Sequence, residues 1–260
     1  MRFLFLACLM AIVPMVFLEG CYTNIPAASP VPVCLIVKEI HKSNAYTSVP
    51  KGEKEQVMID GKNVAVYFDD SVMYRYDGQR RISNQFRTGV GGHSTSEFTY
   101  SASKVSVVFT SYNANNLLIQ VYPYSVALNE RGYDARYTYD EEGIQGRLSY
   151  VLSEKRENGN PLQQVIDGGF RLTTLNYTYD LTHFSLPNPR QYEGRMSRNL
   201  LLISSSSGTS CCGPWHYEYR YQFDVQGRVS RRICLEWRVE LPDGLPFQTV
   251  YITDYEYECV

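Results

Sequence analysis

Over long stretches of this chain every second residue changes character, and that period constrains the fold more than any other feature. From Tyr217 to Asp224 the sequence reads YEYRYQFD, which puts four aromatic side chains on one face and Glu218, Arg220, Gln222 and Asp224 on the other. Ile233, Leu235, Trp237, Val239 and Leu241 alternate with Cys234, Glu236, Arg238 and Glu240. Tyr251, Thr253, Tyr255, Tyr257 and Cys259 alternate with Ile252, Asp254, Glu256 and Glu258. A period of two predicts strands with one face on a core and the other in water, as in antiparallel sheets. No comparable stretch repeats apolar residues with the helical period, and the best helix candidate is short, from Tyr192 to Leu201. The aromatic content agrees, with 22 Tyr against 11 Phe and 2 Trp, because aromatic residues favour sheet.

The residues between these runs are hairpin chemistry. Asp224-Val225-Gln226-Gly227 separates two strong strands, with Gly where a three-residue loop needs positive φ. Asp77-Gly78, Asn129-Glu130-Arg131-Gly132, Glu141-Glu142-Gly143 and Pro242-Asp243-Gly244 predict further turns. Short turns pair each strand with the next, so the expectation is an all-β antiparallel meander of roughly a dozen or more strands. Lys155 to Gly169 and Phe184 to Ser197 are too irregular for strands and are expected as loops on the rim.

The N-terminus carries a different signal. After Met1-Arg2 the chain is apolar without a break from Phe3 to Leu18, with Pro14 inside the run. That is short of the ~20 residues a membrane span needs, and it fits a secretory leader. The run ends in Leu18-Glu19-Gly20-Cys21, which resembles a bacterial lipobox, although Glu19 stands where a small residue is usual. The resemblance implies a leader over residues 1–20, acyl chains on Cys21 and a membrane as partner. Residues 21–33 then form a Pro-containing tether, and residues 34–260 form a single β domain. The chain carries 25 Lys+Arg against 27 Asp+Glu, net −2, which argues against a nucleic-acid partner.

A short repeat runs through the domain: Tyr-x-Tyr/Phe-Asp, a turn, then Gly-Arg and an aliphatic residue. Tyr221-Gln222-Phe223-Asp224 leads to Gly227-Arg228-Val229, and Tyr137-Thr138-Tyr139-Asp140 leads to Gly146-Arg147-Leu148. Tyr74-Arg75-Tyr76-Asp77 leads to Arg81-Ile82, and Tyr177-Thr178-Tyr179-Asp180 has the first half only. This resembles the YD repeat of Rhs-type shell proteins. Tyr124 to Gly132, Asn188-Pro189, Ser197-Arg198-Asn199-Leu200 and the closing Tyr255 to Cys259 add to the likeness. Together with the lipobox they resemble the Bacteroidota-type lipoproteins of unknown function described with a porin-like fold, over roughly Cys34 to Cys259. The resemblance implies a large curled antiparallel sheet, a roll or open barrel, and brings no catalytic residues. Asp70-Ser71-Val72 also matches the O-glycosylation acceptor pattern of such bacteria, at Ser71.

Of seven Cys, Cys8 leaves with the leader and Cys21 takes lipid, so five remain in an oxidising compartment. Cys34 opens the first strand and Cys259 ends the last. In a sheet that curls round, a Cys34–Cys259 bridge would tie both ends together. Pairing of Cys234 with the adjacent Cys211 or Cys212 is the competing bridge.

Catalytic patterns are sparse. His41, His93, His183 and His216 make no metal-binding pair, and no metal or cofactor is expected. Gly92-His93-Ser94-Thr95-Ser96 falls one residue short of a nucleophile elbow and reads as a polar loop. Asp69-Asp70 and Glu141-Glu142 sit where turns are expected, although paired carboxyls can do acid–base work. The Tyr rows fit a core face better than an exposed platform for sugars or a protein partner. The reading is a non-enzymatic, monomeric lipoprotein of the outer membrane, binding or structural, with a glycan or an envelope protein as partner. The alternative is a secreted glycan hydrolase using turn carboxylates, which needs two carboxyls about 5–10 Å apart across a cleft.

Overall fold

The structure is a computed structural model that describes residues 34–45, 52–146, 150–167, 172–208, 214–238 and 247–259. The leader, Cys21, the tether, Cys211, Cys212 and the Pro242-Asp243-Gly244 turn lie outside the described residues.

Among the described residues, fourteen strands form one antiparallel sheet. In chain order they are β1 (Cys34–Ser43), β2 (Lys54–Ile59), β3 (Lys62–Tyr76), β4 (Ile82–Gly89), β5 (Gly92–Tyr100), β6 (Lys104–Asn113) and β7 (Leu118–Ala127). Then come β8 (Val151–Glu157), β9 (Asn160–Asp167), β10 (Leu172–Phe184), β11 (Asn199–Gly208), β12 (Trp215–Phe223), β13 (Val229–Arg238) and β14 (Phe247–Cys259). The spatial order is β7-β6-β5-β4-β3-β1-β14-β13-β12-β11-β10-β9-β8, and β2 pairs with β3 off this path. Two meanders therefore meet where the first strand lies beside the last. Cys34 is the register partner of Cys259 there, with Cα atoms 4.0 Å apart and the sulfurs joined in a disulfide. Cys234, half-buried on β13, is a free thiol.

One turn design recurs, and it explains the repeat seen in the sequence. Asp224 Oδ1 accepts hydrogen bonds from the backbone N–H groups of Gln226 and Arg228, and Gly227, at φ 78°, closes the loop. Asp77 holds Gln79 and Arg81 in the same way, and Asp140 holds Glu142 and Ile144. Asn113 and Asn129 do so with their amide oxygens. The Asp of Tyr-x-Tyr-Asp is thus an acceptor that replaces turn hydrogen bonds. In two turns the following Arg pairs with that Asp, Arg81 with Asp77 and Arg228 with Asp224, and its guanidinium covers a neighbouring ring, Tyr100 or Tyr257. The fourth copy, Tyr177 to Asp180, lies inside β10 and makes no turn. The recurrence is a hairpin device rather than a repeating unit of fold. Asp77→Ala should therefore cost about 1 kcal/mol in urea denaturation. Asp77→Asn, which keeps the acceptor, should cost less. Equal losses would transfer the effect from the backbone bonds to the Arg81 pair.

The sheet is curled and unclosed, with β7 and β8 as its edges. β11 stands seven places from β5, roughly 34 Å along a flat sheet. Yet the loop entering β11 lands on the first meander: Tyr192 packs 6.4 Å from Phe98, and Arg190 donates to Gln85 Oε1 at 3.0 Å. On this inner face Tyr192 joins Ile82, Phe98, Val105, Val107 and Val126. A second inner cluster, Ile36, Leu200, Val229 and Tyr255, fills the seam between the meanders.

The central strands depart from the expected division into core and water faces. The β2–β3 hairpin lays Val57, Ile59 and Val66 over Ile233, Leu235, Val250 and Ile252 on the outer face. Arg231 ties that hairpin to the sheet, pairing with Asp254 and, at 2.9 Å, with Glu55, while Lys42 reaches Asp254 at 2.7 Å. Ile252 is therefore core, and Glu236, expected in water, is 2% exposed on the inner side. Period two survives because both faces are covered, one by apolar and one by polar groups.

Three further expectations are corrected. Residues 155–167 are not an irregular loop but belong to the β8–β9 hairpin, turned by Asn158 (φ 50°) and Gly159 (φ 76°). The helix candidate at Tyr192–Leu201 is one 3-10 turn, Gln191–Glu193, followed by the start of β11. Gly92 to Ser96 opens β5 instead of forming a loop.

Candidate functional site

Strand register assembles the site on the inner face. Asp70, His41, Thr253, Arg232 and Tyr221 are successive partners across β3, β1, β14, β13 and β12. One pleat away, Arg87 pairs with Val72, Val72 with Glu39, and Glu39 with Tyr255. Residues two apart on a strand share a face, so Glu39 and His41 both point inward.

These groups are wired to one another. His41 lies between two carboxylates, with Nδ1 2.7 Å from Asp70 Oδ1 and Nε2 3.1 Å from Glu39 Oε2. Arg87 Nη2 donates to the other Asp70 oxygen at 2.6 Å. Burial disfavours the imidazolium, but the hydrogen bonds to Asp70 and Glu39 outweigh it, and the His41 pKa is pushed up to about 9. Burial opposes the Asp70 charge as well; the bonds from His41 and Arg87 prevail and hold its pKa below the ordinary carboxylate value. Beyond them, Arg232 donates to Thr253 Oγ1 at 3.2 Å. Glu236 accepts from the hydroxyls of Tyr217 at 3.0 Å and Tyr251 at 2.9 Å. Burial raises the Tyr255 pKa to about 12 and the Cys234 pKa to about 11, so both stay neutral near pH 7.

A cavity of about 470 Å³ opens beside the cluster, lined among others by Asp70, Arg87, Ser94, Phe109, Ser111 and Tyr112. That volume lies in the range of small-molecule sites. Chemically the arrangement is a fixed set of donors and acceptors beside aromatic surface. With its pKa raised, His41 favours the imidazolium near neutrality. No group of three or more His, Cys, Asp or Glu among the described residues is placed to hold a metal ion.

The residues singled out in the sequence are scattered. Ser71 is buried mid-strand in β3, on the face opposite Asp70, between Ile40 and Thr88. Its cavity, about 520 Å³, is shared with Lys38, Lys42 and Glu55. Of the acidic pairs, Asp69-Asp70 is not at a turn but inside β3, where register brings Asp70 to the His41 cluster, while Glu142 sits in the Asp140 turn with its carboxylate 3.7 Å from Arg198. His93 stacks on Tyr112 with ring centroids 4.6 Å apart, and His183 pairs with Asp180 at 2.6 Å.

No family model and no curated protein matches the chain. Among solved structures, a porin-like protein from Bacteroides uniformis ATCC 8492 is similar over 86% of this chain and 96% of its own, at 13% identity and a TM-score of 0.44. A porin-like protein from Bacteroides vulgatus ATCC 8482 is similar over 86% of this chain and 98% of its own, at 8% identity and a TM-score of 0.27.

Sequence reasoning missed the Glu39–His41–Asp70–Arg87 cluster. Its only local trace is Glu39 two residues before His41; Asp70 and Arg87 join through register alone.

Proposed function

We propose that this protein is a non-enzymatic module of the bacterial cell envelope, anchored in the outer membrane by acyl chains on Cys21. The rolled sheet is the part that meets a glycan or an envelope protein. The observation that favours binding over catalysis is the closed pairing of the inner face. His41 is held as an imidazolium between Glu39 and Asp70, and Asp70 is also bound to Arg87. Acid–base catalysis needs a group free to take or give a proton at working pH. Of the acidic pairs on which a hydrolase would draw, Asp69-Asp70 lies inside β3, with Asp70 bound to His41 and Arg87, and Glu142 of the Glu141-Glu142 pair lies beside Arg198. The apolar run ending in Leu18-Glu19-Gly20-Cys21 supports the anchor, because several acyl chains hold a protein on a membrane where one does not.

Three measurements test the reading. Cys21→Ser should abolish fatty-acid labelling and release the protein from the membrane fraction; unchanged labelling removes the anchor. The intact protein, used as bait on envelope membranes, should retain a glycan or protein that Asp70→Asn releases. Release of reducing sugar from envelope glycans by wild type but not by Asp70→Asn would replace the binding reading with a hydrolase.

A further inference from the structure

One end of the sheet exposes apolar side chains, and it is the end at which Cys34 joins the domain to the preceding chain. Cys34 opens β1 there and Cys259 closes β14 beside it. The β12–β13 turn and the loop after β10 lie at the same end, because the strands alternate in direction from β14. Val225, at the tip of that turn, is 97% exposed, and Leu181, Phe184 and Met196 are each more than half exposed. Phe223 stacks on His183 with ring centroids 4.6 Å apart, which links the turn to β10. Arg228, in the same turn, donates to Cys259 Sγ at 2.7 Å, so the patch adjoins the disulfide. The flanking carboxylates are engaged, Asp224 with Arg228 and Asp180 with His183. Apolar side chains gathered in this way mark an interaction surface.

We propose that this end of the sheet docks on the lipid surface that holds Cys21, with Val225, Leu181, Phe184 and Met196 seated at the boundary between headgroups and acyl chains. The choice of end rests on the Cys21 anchor. Twelve residues, Tyr22 to Val33, separate Cys21 from Cys34, and that many span at most about 40 Å. Leu117 and Leu118 are exposed at the opposite end, but strands such as β6 carry that end about 30 Å further away. It would meet the lipid only with the connection drawn out almost fully along the sheet. The apolar side chains project from separate loops, a pattern that a fluid lipid layer accepts without a matching surface. Docked this way, the cavity beside Gly89 to Gly92, which lies at the far end, opens to the medium.

The test places a tryptophan at each end of the full chain, in vesicles of phosphatidylcholine brominated in its acyl chains. Wild-type emission, from Trp215 and Trp237 near the far end, is the baseline. Val225→Trp should add emission that bromine quenches by about half or more, because interfacial side chains sit ~5–10 Å deep. Leu117→Trp should add emission that bromine leaves unchanged and that iodide in the buffer quenches. Circular dichroism checks that both variants keep the sheet. Added emission at Val225→Trp that bromine leaves unchanged overturns the docking, and so does quenching at Leu117→Trp as strong as at Val225→Trp. Fatty-acid labelling is read on the same preparations. Quenching at Val225→Trp in protein without label keeps the docking and removes the anchor, whereas label without quenching keeps the anchor and removes the docking.

Discussion

Replacing Cys34 and Cys259 together by serine is expected to lower the thermal midpoint by roughly 10–20 °C while leaving the folded sheet in place. The sequence separation between the two is 225 residues, so the bridge closes almost the whole described domain into one loop. In the chain-entropy account a loop of that length restricts the unfolded ensemble by at most about 5 kcal/mol, and for a domain of this size each kcal/mol moves the midpoint by about 2–4 °C. The folded side of the balance changes little, because β1 and β14 remain hydrogen-bonded from the Leu35–Glu258 pair to the Ser43–Tyr251 pair without the sulfurs. Thermal melts of the double variant, and of wild type with reductant, should therefore agree. A midpoint within a few degrees of wild type would show that the unfolded chain is already compact enough for the cross-link to add nothing.

Much of this architecture can be read in the residues, and the reason is local. Tyr217 to Phe223, Ile233 to Trp237 and Tyr251 to Cys259 are strands at the places where the side chains alternate. Asp224 to Gly227 turns the chain as its composition requires. What failed was anything set by the other side of a strand. Glu236 and Ile252 look alike to a period-two argument, as residues off the face expected to be core, yet each is buried against a different layer. The β8–β9 hairpin was missed because an edge needs no continuous apolar face; its Asn158-Gly159 turn was the available signal. The His41 cluster failed for the same non-local reason. Glu39 and His41 are neighbours in sequence, but their meaning depends on Asp70, which a one-residue slip of β3 would point outward.

The cluster also fixes how stability should respond to pH. His41 is raised from its ordinary value near 6.5 to about 9 in the folded protein. A raised folded pKa means that folding binds the proton more tightly, so the contribution is complete below about pH 6.5 and fades as pH climbs through 9. The shift corresponds to at most about 3 kcal/mol, and to nearer 2 once solvent screening of a partly open site is allowed for. Asp70 acts in a separate window. Its pKa is lowered, so its contribution is lost only as the pH falls through the acid range. Cys234 and Tyr255 titrate above the window, at about 11 and 12. The guanidinium groups of Arg87 and Arg232, both raised above their ordinary value, stay protonated throughout, so the charge lost from the cluster between pH 6 and 9.5 is that of His41. Urea midpoints of wild type should fall over that interval, and those of His41→Gln should stay nearly level, since the glutamine amide nitrogen still donates toward these carboxylates but carries no proton to lose. The two proteins should differ most near pH 6 and converge near pH 9.5. Parallel profiles for both would place the titrating group elsewhere and remove the imidazolium from the centre of the site.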